Sequence, residues 1–213
     1  ISYRLVGSEM CIRDRAMSLQ WYSSLSMDRV TMSDNTATTG GGLYVYAVTD
    51  ELVLSDVTIT DNTADGGAGG GIAVEWYPTL RLDRATITGN TATTSGGGVY
   101  FFGYGNLGIT DSTLSDNHST GEHGGALYFY AYTNEDHFLD ISGSTFAGNT
   151  AYYNGGAIES LWVKDLTITD SVFDHNAAGQ DATGGALLSY VAAATTLSGN
   201  RFCGNSAGVG GGV

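Results

Sequence analysis

One asparagine returns seven times along this chain, and that return limits the fold more than any other feature. Asn35, Asn62, Asn90, Asn117, Asn149, Asn176 and Asn205 are spaced by 27, 28, 27, 32, 27 and 29 residues, a period typical of solenoids. Three positions before each stands an apolar side chain: Met32, Ile59, Ile87, Leu114, Phe146, Phe173 and Phe202. Eight before it stands another: Met27, Leu54, Leu82, Ile109, Ile141, Ile168 and Leu197. Ten before it is Leu in six copies, from Leu25 to Leu166, with Thr195 in the seventh. After each Asn comes a Gly-Gly or Gly-Ala step and an apolar residue, from Gly41-Gly42-Leu43 to Gly211-Gly212-Val213.

Apolar and polar residues alternate within each copy, as in Leu166-Thr167-Ile168-Thr169, which is the period of short strands with one face inward. Segments this short, punctuated by Gly and Asn, do not make long hairpins. The one Asn-Gly step, Asn154-Gly155, opens a Gly-Gly motif instead of joining two apolar runs. One coil per repeat is the economical solution, each strand pairing in parallel with its counterpart about 4.8 Å away in the next coil. Parallel crossovers are right-handed in nearly all cases. The expected fold is therefore an all-β, right-handed parallel β-helix of about seven coils, roughly 27 residues each.

Residues 1–15, ISYRLVGSEMCIRDR, share no pattern with the rest of the chain. Arg4 to Arg15 back-translates as an unbroken run resembling a transposase-derived sequencing adapter, and such segments are set aside before fold reasoning. This segment is thus expected to be foreign to the protein, and residues 16–213 to be a single β-helix fragment truncated at both ends. With Cys11 inside the excluded segment, Cys203 is the one cysteine left. It is expected as a small buried hydrophobe, or as half of a pair completed beyond the chain.

Of 213 residues, 22 are acidic and 8 basic, a formal net charge of −14. Nucleic acid is excluded as a partner because phosphate binding needs clustered Lys and Arg, and an anionic membrane surface is disfavoured for the same reason. No stretch of 18 apolar residues is present, so no membrane insertion by a helix is expected.

The repeated residues have structural roles in such a coil. Asn tolerates left-handed backbone at turns and stacks its amide on the Asn above, so the seven asparagines are expected to form a ladder. The Gly-Gly pair supplies φ > 0 before the next strand; no helix N-terminus or Lys follows to make it a phosphate cradle. Six before each Asn the residues are Arg29, Asp56, Arg84, Asp111, Gly143, Asp170 and Gly199, so opposite charges are expected to pair between neighbouring rungs over the first four coils.

The pairing of GGA(I/L/V) with FxxN resembles the repeat of polymorphic outer membrane proteins and related autotransporter β-helix passengers. Here it reads Gly155-Gly156-Ala157-Ile158 and Gly184-Gly185-Ala186-Leu187, with Phe146 to Asn149, Phe173 to Asn176 and Phe202 to Asn205. The resemblance covers residues 25–213. The first four copies replace Phe by Met, Ile or Leu, and the first three and the last replace Ala by Gly. It implies an exported protein, extracellular or displayed at the bacterial outer membrane, with a structural or adhesin-like role.

The strand after each Gly-Gly motif is where the copies diverge, and its outward positions are aromatic: Tyr44, Tyr46, Tyr100, Phe102, Tyr128 and Tyr130, then Tyr190. Loops beyond it add Trp76, Tyr77, Tyr104, Tyr132 and Trp162. Two readings stand. The stripe is a face for a glycan or for a protein on a host or neighbouring cell, or it is cross-strand stacking that stiffens one side of the solenoid. Asp34, Asp61 and Asp116 recur before the ladder Asn, but one Asp per rung does not gather the six to eight oxygens calcium takes, and the GGxGxDx repeat is absent. His118, Glu122 and His123 share a loop without metal-ligand spacing. Hence no metal and no cofactor is assigned. The rival is a polysaccharide lyase or glycoside hydrolase on the same scaffold. No catalytic residue is assigned, because Arg81, Lys164 and Arg201 fall in different repeats. The one acidic doublet besides Asp50-Glu51 is Glu135-Asp136, in the insertion between Ala131 and Phe138.

Overall fold

The computed structural model describes residues 2–6, 9–10, 17–21, 24–48, 50–76, 79–132 and 137–212, with only the backbone of the first two segments. Cys11, Tyr77, Glu135, Asp136 and Val213 lie outside the described residues.

Each repeat lays down four short strands, and each strand joins one of four parallel sheets. The first sheet runs through Ser2–Val6, Ser24–Asp28, Glu51–Ser55, Thr79–Asp83, Leu107–Thr110, Phe138–Ser142, Asp165–Thr169 and Ala194–Ser198. The second stacks the three-residue strands from Thr31–Ser33 to Arg201–Cys203, and Glu9–Met10 pairs at its other end. The third has six two-residue strands, from Thr36–Ala37 to Ala177–Ala178. The fourth has seven, from Met17–Gln20 through Leu43–Tyr46 to Leu187–Tyr190. Among the described residues six coils carry all four strands and a part-coil adjoins them at each end, in line with the expected count of about seven.

Register explains the core. Leu25 pairs with Leu52 and Met27 with Leu54, and the same like-on-like pairing continues through Leu166 and Ile168. These columns, with Met32 through Phe173 on the second sheet, are fully buried. Phe146 and Phe173 stack at 4.9 Å and 4°, and Phe101 and Phe129 at 4.9 Å and 16°. Stacking like on like lets each rung reuse one rotamer and packing solution.

Six of the asparagines, Asn35 through Asn176, sit fully buried inside the turn between the second and third sheets, and Asn205 in the last coil is half-buried. Asn117 donates from Nδ2 to Asn149 Oδ1 at 3.0 Å and to the Ile87 carbonyl at 2.9 Å. Its own Oδ1 accepts the Asn90 backbone N–H at 3.1 Å and Asn90 Nδ2 at 3.0 Å. The left-handed position lies one residue earlier than expected: Asp34, Asp61, Asp116 and His175 have φ of 52–57°, and Gly89, Gly148 and Gly204 fill the same place. The displacement has a physical reason. The buried amide is held by backbone groups of the preceding coil and by the asparagine side chain of the next, so the chain must reverse just before it.

Two other expectations change. In Gly40-Gly41-Gly42 the left-handed residue is the first, with φ 62°. Gly41 is needed instead for close approach, since a Cβ there would lie 2.4 Å from the Gly70 carbonyl oxygen. The alternating charges form one cross-rung pair, Arg84 with Asp56 at 2.8 Å. Arg29 takes its chain neighbour Asp28 instead, at 2.7 Å, and Gly143 lies over the Asp111 carboxylate. What these positions share is positive φ, 48–57° from Arg29 to Asp170, which Asp and Gly tolerate best. Both partners of the Arg84–Asp56 pair are exposed, so its contribution is screened and small.

A second ladder is built one residue after that turn. Ser112 Oγ accepts from the Ala85 N–H, Ser144 Oγ from Ser112, Ser171 Oγ from Ser144, and Asn200 Oδ1 from Ser171, all at 2.9–3.1 Å. Cys203 is free and exposed, not buried, because it occupies the outward end of Arg201–Cys203 beside Asp174.

Candidate functional site

The fourth sheet presents two outward columns. One reads Tyr44, Ala73, Tyr100, Tyr128, Glu159, Leu188, and the other Tyr46, Glu75, Phe102, Tyr130, Leu161, Tyr190. Alternation on strands such as Val99–Gly103 puts Val99 and Phe101 inside and Tyr100 and Phe102 outside. All six aromatics of the expected face share this surface, but not one cluster. Tyr100, Phe102, Tyr128 and Tyr130 form a block: Tyr100 to Tyr128 is 5.5 Å at 5°, and Phe102 to Tyr130 is 5.1 Å at 24°. Tyr44 and Tyr46 stack on each other at 6.3 Å, one rung removed beyond Ala73 and Glu75.

That stacking limits what the face can do. All six rings are half-buried, and within the block each ring gives one face to its neighbour in the adjoining rung. Exposed rings lie along the margin, at Trp21, Tyr132, Trp162 and Tyr190. Trp76 packs against Phe102 and Tyr132, and Tyr104 against Tyr132 and His137.

Carboxylates and one histidine interrupt the aromatic columns. Glu75 leans back to the Tyr44 hydroxyl, which reaches Oε2 at 3.4 Å. Partial burial raises the Glu75 carboxyl above its ordinary range, with the Tyr44 hydrogen bond opposing. Burial likewise pushes the Tyr100 and Tyr128 phenols well up, helped by nearby Glu75, Glu122 and Glu159. They remain hydrogen-bond donors at any physiological pH. Glu159 is only 4% exposed, and its Oε2 lies 2.7 Å from His123 Nδ1. Both atoms are buried, and this approach is a charge contact without good hydrogen-bond alignment. The Glu159 carboxylate raises the His123 pKa above 6.5, against desolvation and with help from Glu122. The His123 ring also lies 5.6 Å from Tyr153 and 6.2 Å from Tyr128, and Ser95 Oγ donates to Glu122 at 2.9 Å.

Because the folded His123 pKa lies above the unfolded value, its contribution to stability is complete below pH 6.5 and is lost as pH rises through the folded pKa. Histidine NMR titration is expected to place its midpoint above 6.5, and Glu159→Gln to lower that midpoint. An unchanged midpoint in Glu159→Gln would show that the pair does not govern the histidine.

A family model described as the right-handed beta helix region matches residues 55–212. The chain belongs to this right-handed β-helix family. Comparison with curated proteins and with solved structures returns no match. The β-helix family includes enzymes and non-enzymes, so the chemistry has to be argued from residues.

In this β-helix the His118, Glu122 and His123 loop separates. His118 Nδ1 meets Thr150 Oγ1 at 2.7 Å on the third sheet, while His123 turns to the fourth. Among the described residues no group of three or more His, Cys, Asp or Glu side chains is placed to hold a metal ion. Asp61 and Asp116 serve the turns, their carboxylates lying across Gly89 and Gly148 of the next coil. Arg81 pairs with Glu51, and the Lys164 ammonium sits 5.6 Å from the Phe138 ring centre. Glu75 and Glu159 are three rungs apart in register, about 14 Å at sheet spacing. Glu75 also leans away, whereas glycoside hydrolysis places its carboxyl pair roughly 5–9.5 Å apart. Glu75 and Glu159 were not singled out in the sequence, although their register with Phe102 and Tyr128 places them in the outward columns. The partner of Glu159 was not legible, since His123 reaches it from a loop of the preceding coil.

Proposed function

We propose that this β-helix is a passenger of the polymorphic outer membrane protein type, exported and displayed extracellularly or at the bacterial outer membrane, and that its fourth sheet is an adhesive face for a protein on a host or neighbouring cell. The observation that carries this reading is the Tyr100–Phe102–Tyr128–Tyr130 block, rigid because its rings stack on one another. Sugar stacking needs an open ring face, and each ring of the block already gives one face to a neighbouring ring. Rigid tyrosines that offer edge and hydroxyl, set among carboxylates, suit protein interfaces, where Tyr and Trp are favoured anchors of low entropic cost. The GGA and FxxN repeat and the acidic composition fit an exported solenoid. No helix is long and apolar enough to cross a membrane among the described residues.

Binding of the purified chain to a panel of bacterial and eukaryotic cells tests the proposal. Replacing Tyr100, Tyr128 and Tyr130 together by serine is expected to weaken binding at least about tenfold, the loss of one modest hot spot, with an unchanged far-ultraviolet spectrum. Protease treatment of the target cells abolishes binding and glycosidase treatment does not. Binding that survives the triple substitution sinks the reading.

A second reading, a polysaccharide-active enzyme, has one observation in its favour: Glu122, Glu159 and His123 gather beside Tyr128. It requires release of reducing or unsaturated sugar that Glu159→Gln abolishes.

A further inference from the structure

The third sheet is narrow and built from small residues, and on its outer side the coils leave a row of open hollows. One, about 350 Å³, is lined by His118, Ser119, Thr120 and Tyr152 among others. The next, about 440 Å³, continues from Tyr152 and Tyr153 to Gln180 and Asp181. A third of about 440 Å³ follows from Gln180 to Ser206 and Gly208. Neighbouring hollows share walls, Tyr152 between the first two and Gln180 between the last two, so they form one furrow along the solenoid axis.

Tyr152 differs from every ring of the fourth-sheet block. It is 60% exposed. The strand register sets Thr120 before it and Gly179 after it in its column, and neither carries a ring to stack on it. Tyr153 stands perpendicular to it, with centroids 4.8 Å apart at 82°. Gly179 is held to glycine by backbone crowding, since a Cβ there would lie 2.2 Å from the Tyr152 carbonyl oxygen. The rung beside Tyr152 is therefore permanently empty of side chain.

We infer that this furrow binds an uncharged linear oligosaccharide, one sugar unit per coil, with a pyranose ring stacked on Tyr152. Three features specify that ligand. A free tyrosine face accepts the C–H side of a pyranose, and the adjoining Gln180, Asp181 and Thr150 supply hydrogen-bonding groups for its hydroxyls. No Lys or Arg lines any of the three hollows, and the chain carries a net charge of −14, so uronates and sulfated sugars are repelled. The hollows repeat with the rung spacing, about 4.8 Å, which is of the order of one sugar unit in an extended chain. This site lies on a different sheet from the proposed adhesive face and does not depend on it.

Calorimetric titration of the full chain with linear oligomers of glucose, mannose and N-acetylglucosamine, from one to five units, tests the inference. Affinity for one of the series is expected to rise up to three units and then level off. Tyr152→Ala weakens binding by about tenfold, the loss of one stacking contact, while Tyr152→Phe stays within about twofold because the ring face is kept. The triple serine substitution on the fourth sheet leaves sugar binding unchanged, so failure of one site is told apart from failure of the other. Absence of binding by all three series at millimolar concentration overturns the inference. So does tighter binding of trigalacturonate, or a Tyr152→Ala variant that binds as well as the parent.

Discussion

Replacing Asn117 by alanine is expected to remove about 3–6 kcal/mol of stability, far more than an average side-chain hydrogen bond. The amide stands at the middle of the ladder with no exposed surface. Truncation leaves the Asn90 N–H, Asn90 Nδ2, Asn149 Oδ1 and the Ile87 carbonyl each short of one bond. A buried polar group without its partner costs roughly 1–3 kcal/mol, and these four relax together. Asn117→Asp is expected to be no better at neutral pH, because its oxygens cannot donate to Asn149 or Ile87 and the charge is buried. Urea unfolding measures the loss. Since solenoid coils are coupled mainly to their neighbours, hydrogen exchange should quicken first in the coils holding Asn90, Asn117 and Asn149. A loss below about 1 kcal/mol would mean that water replaces the amide and that the ladder is not a principal source of stability.

Phe146→Ala is expected to cost about 3–5 kcal/mol, the usual range for emptying a buried aromatic site. Phe146 has no exposed surface, and it stacks on Phe173, which stacks in turn on Phe202 at 4.8 Å and 8°. Collapse into the void is resisted because the backbone on both sides is fixed by the parallel ladder. Phe146→Leu should cost much less, under about 2 kcal/mol, because Leu114 already fills the same register position one coil earlier. The comparison of the two variants in one urea series separates cavity formation from loss of stacking. Equal costs would assign the stability to ring stacking instead of volume.

The coil was legible because its determinants repeat. Residues three, eight and ten places before Asn117, namely Leu114, Ile109 and Leu107, are inward, and their counterparts in neighbouring coils lie directly above and below. The exact seat of the left-handed turn was not. Asp116 and Asn117 both tolerate positive φ, and only the partners of the Asn117 amide decide that Asp116 takes it. The serine ladder is hidden in the sequence because its position begins as Val30, Val57 and Ala85, which read as ordinary core. At the candidate sites, alternation correctly sends Tyr100 and Tyr128 outward, but whether a ring has a free face depends on the residue in the next rung. That requires register: Tyr100 has Tyr128 beside it, whereas Tyr152 has Gly179. Tyr152 and Tyr153 also lie between the ladder Asn149 and the Gly155-Gly156 turn, outside the divergent strand in which the aromatic pattern is conspicuous.

Both proposed surfaces depend on each coil lying directly on the last in the stated register, and a disulfide test reads that register directly. In a background with Cys203 and Cys11 replaced by serine, cysteines are introduced at Thr60 and Thr88, which are direct partners on the second sheet. Their backbones are about 4.8 Å apart, within the roughly 4.4–6.8 Å that a disulfide spans. A control pair at Thr60 and Thr86 lies one pleat off along the strand, beyond about 7 Å. Mild oxidation followed by peptide mass spectrometry is expected to yield the Thr60→Cys/Thr88→Cys crosslink in high proportion and the control crosslink in trace. Preferential crosslinking of the control pair, or no preference between the two, would contradict the one-repeat-per-coil register on which both surfaces rest.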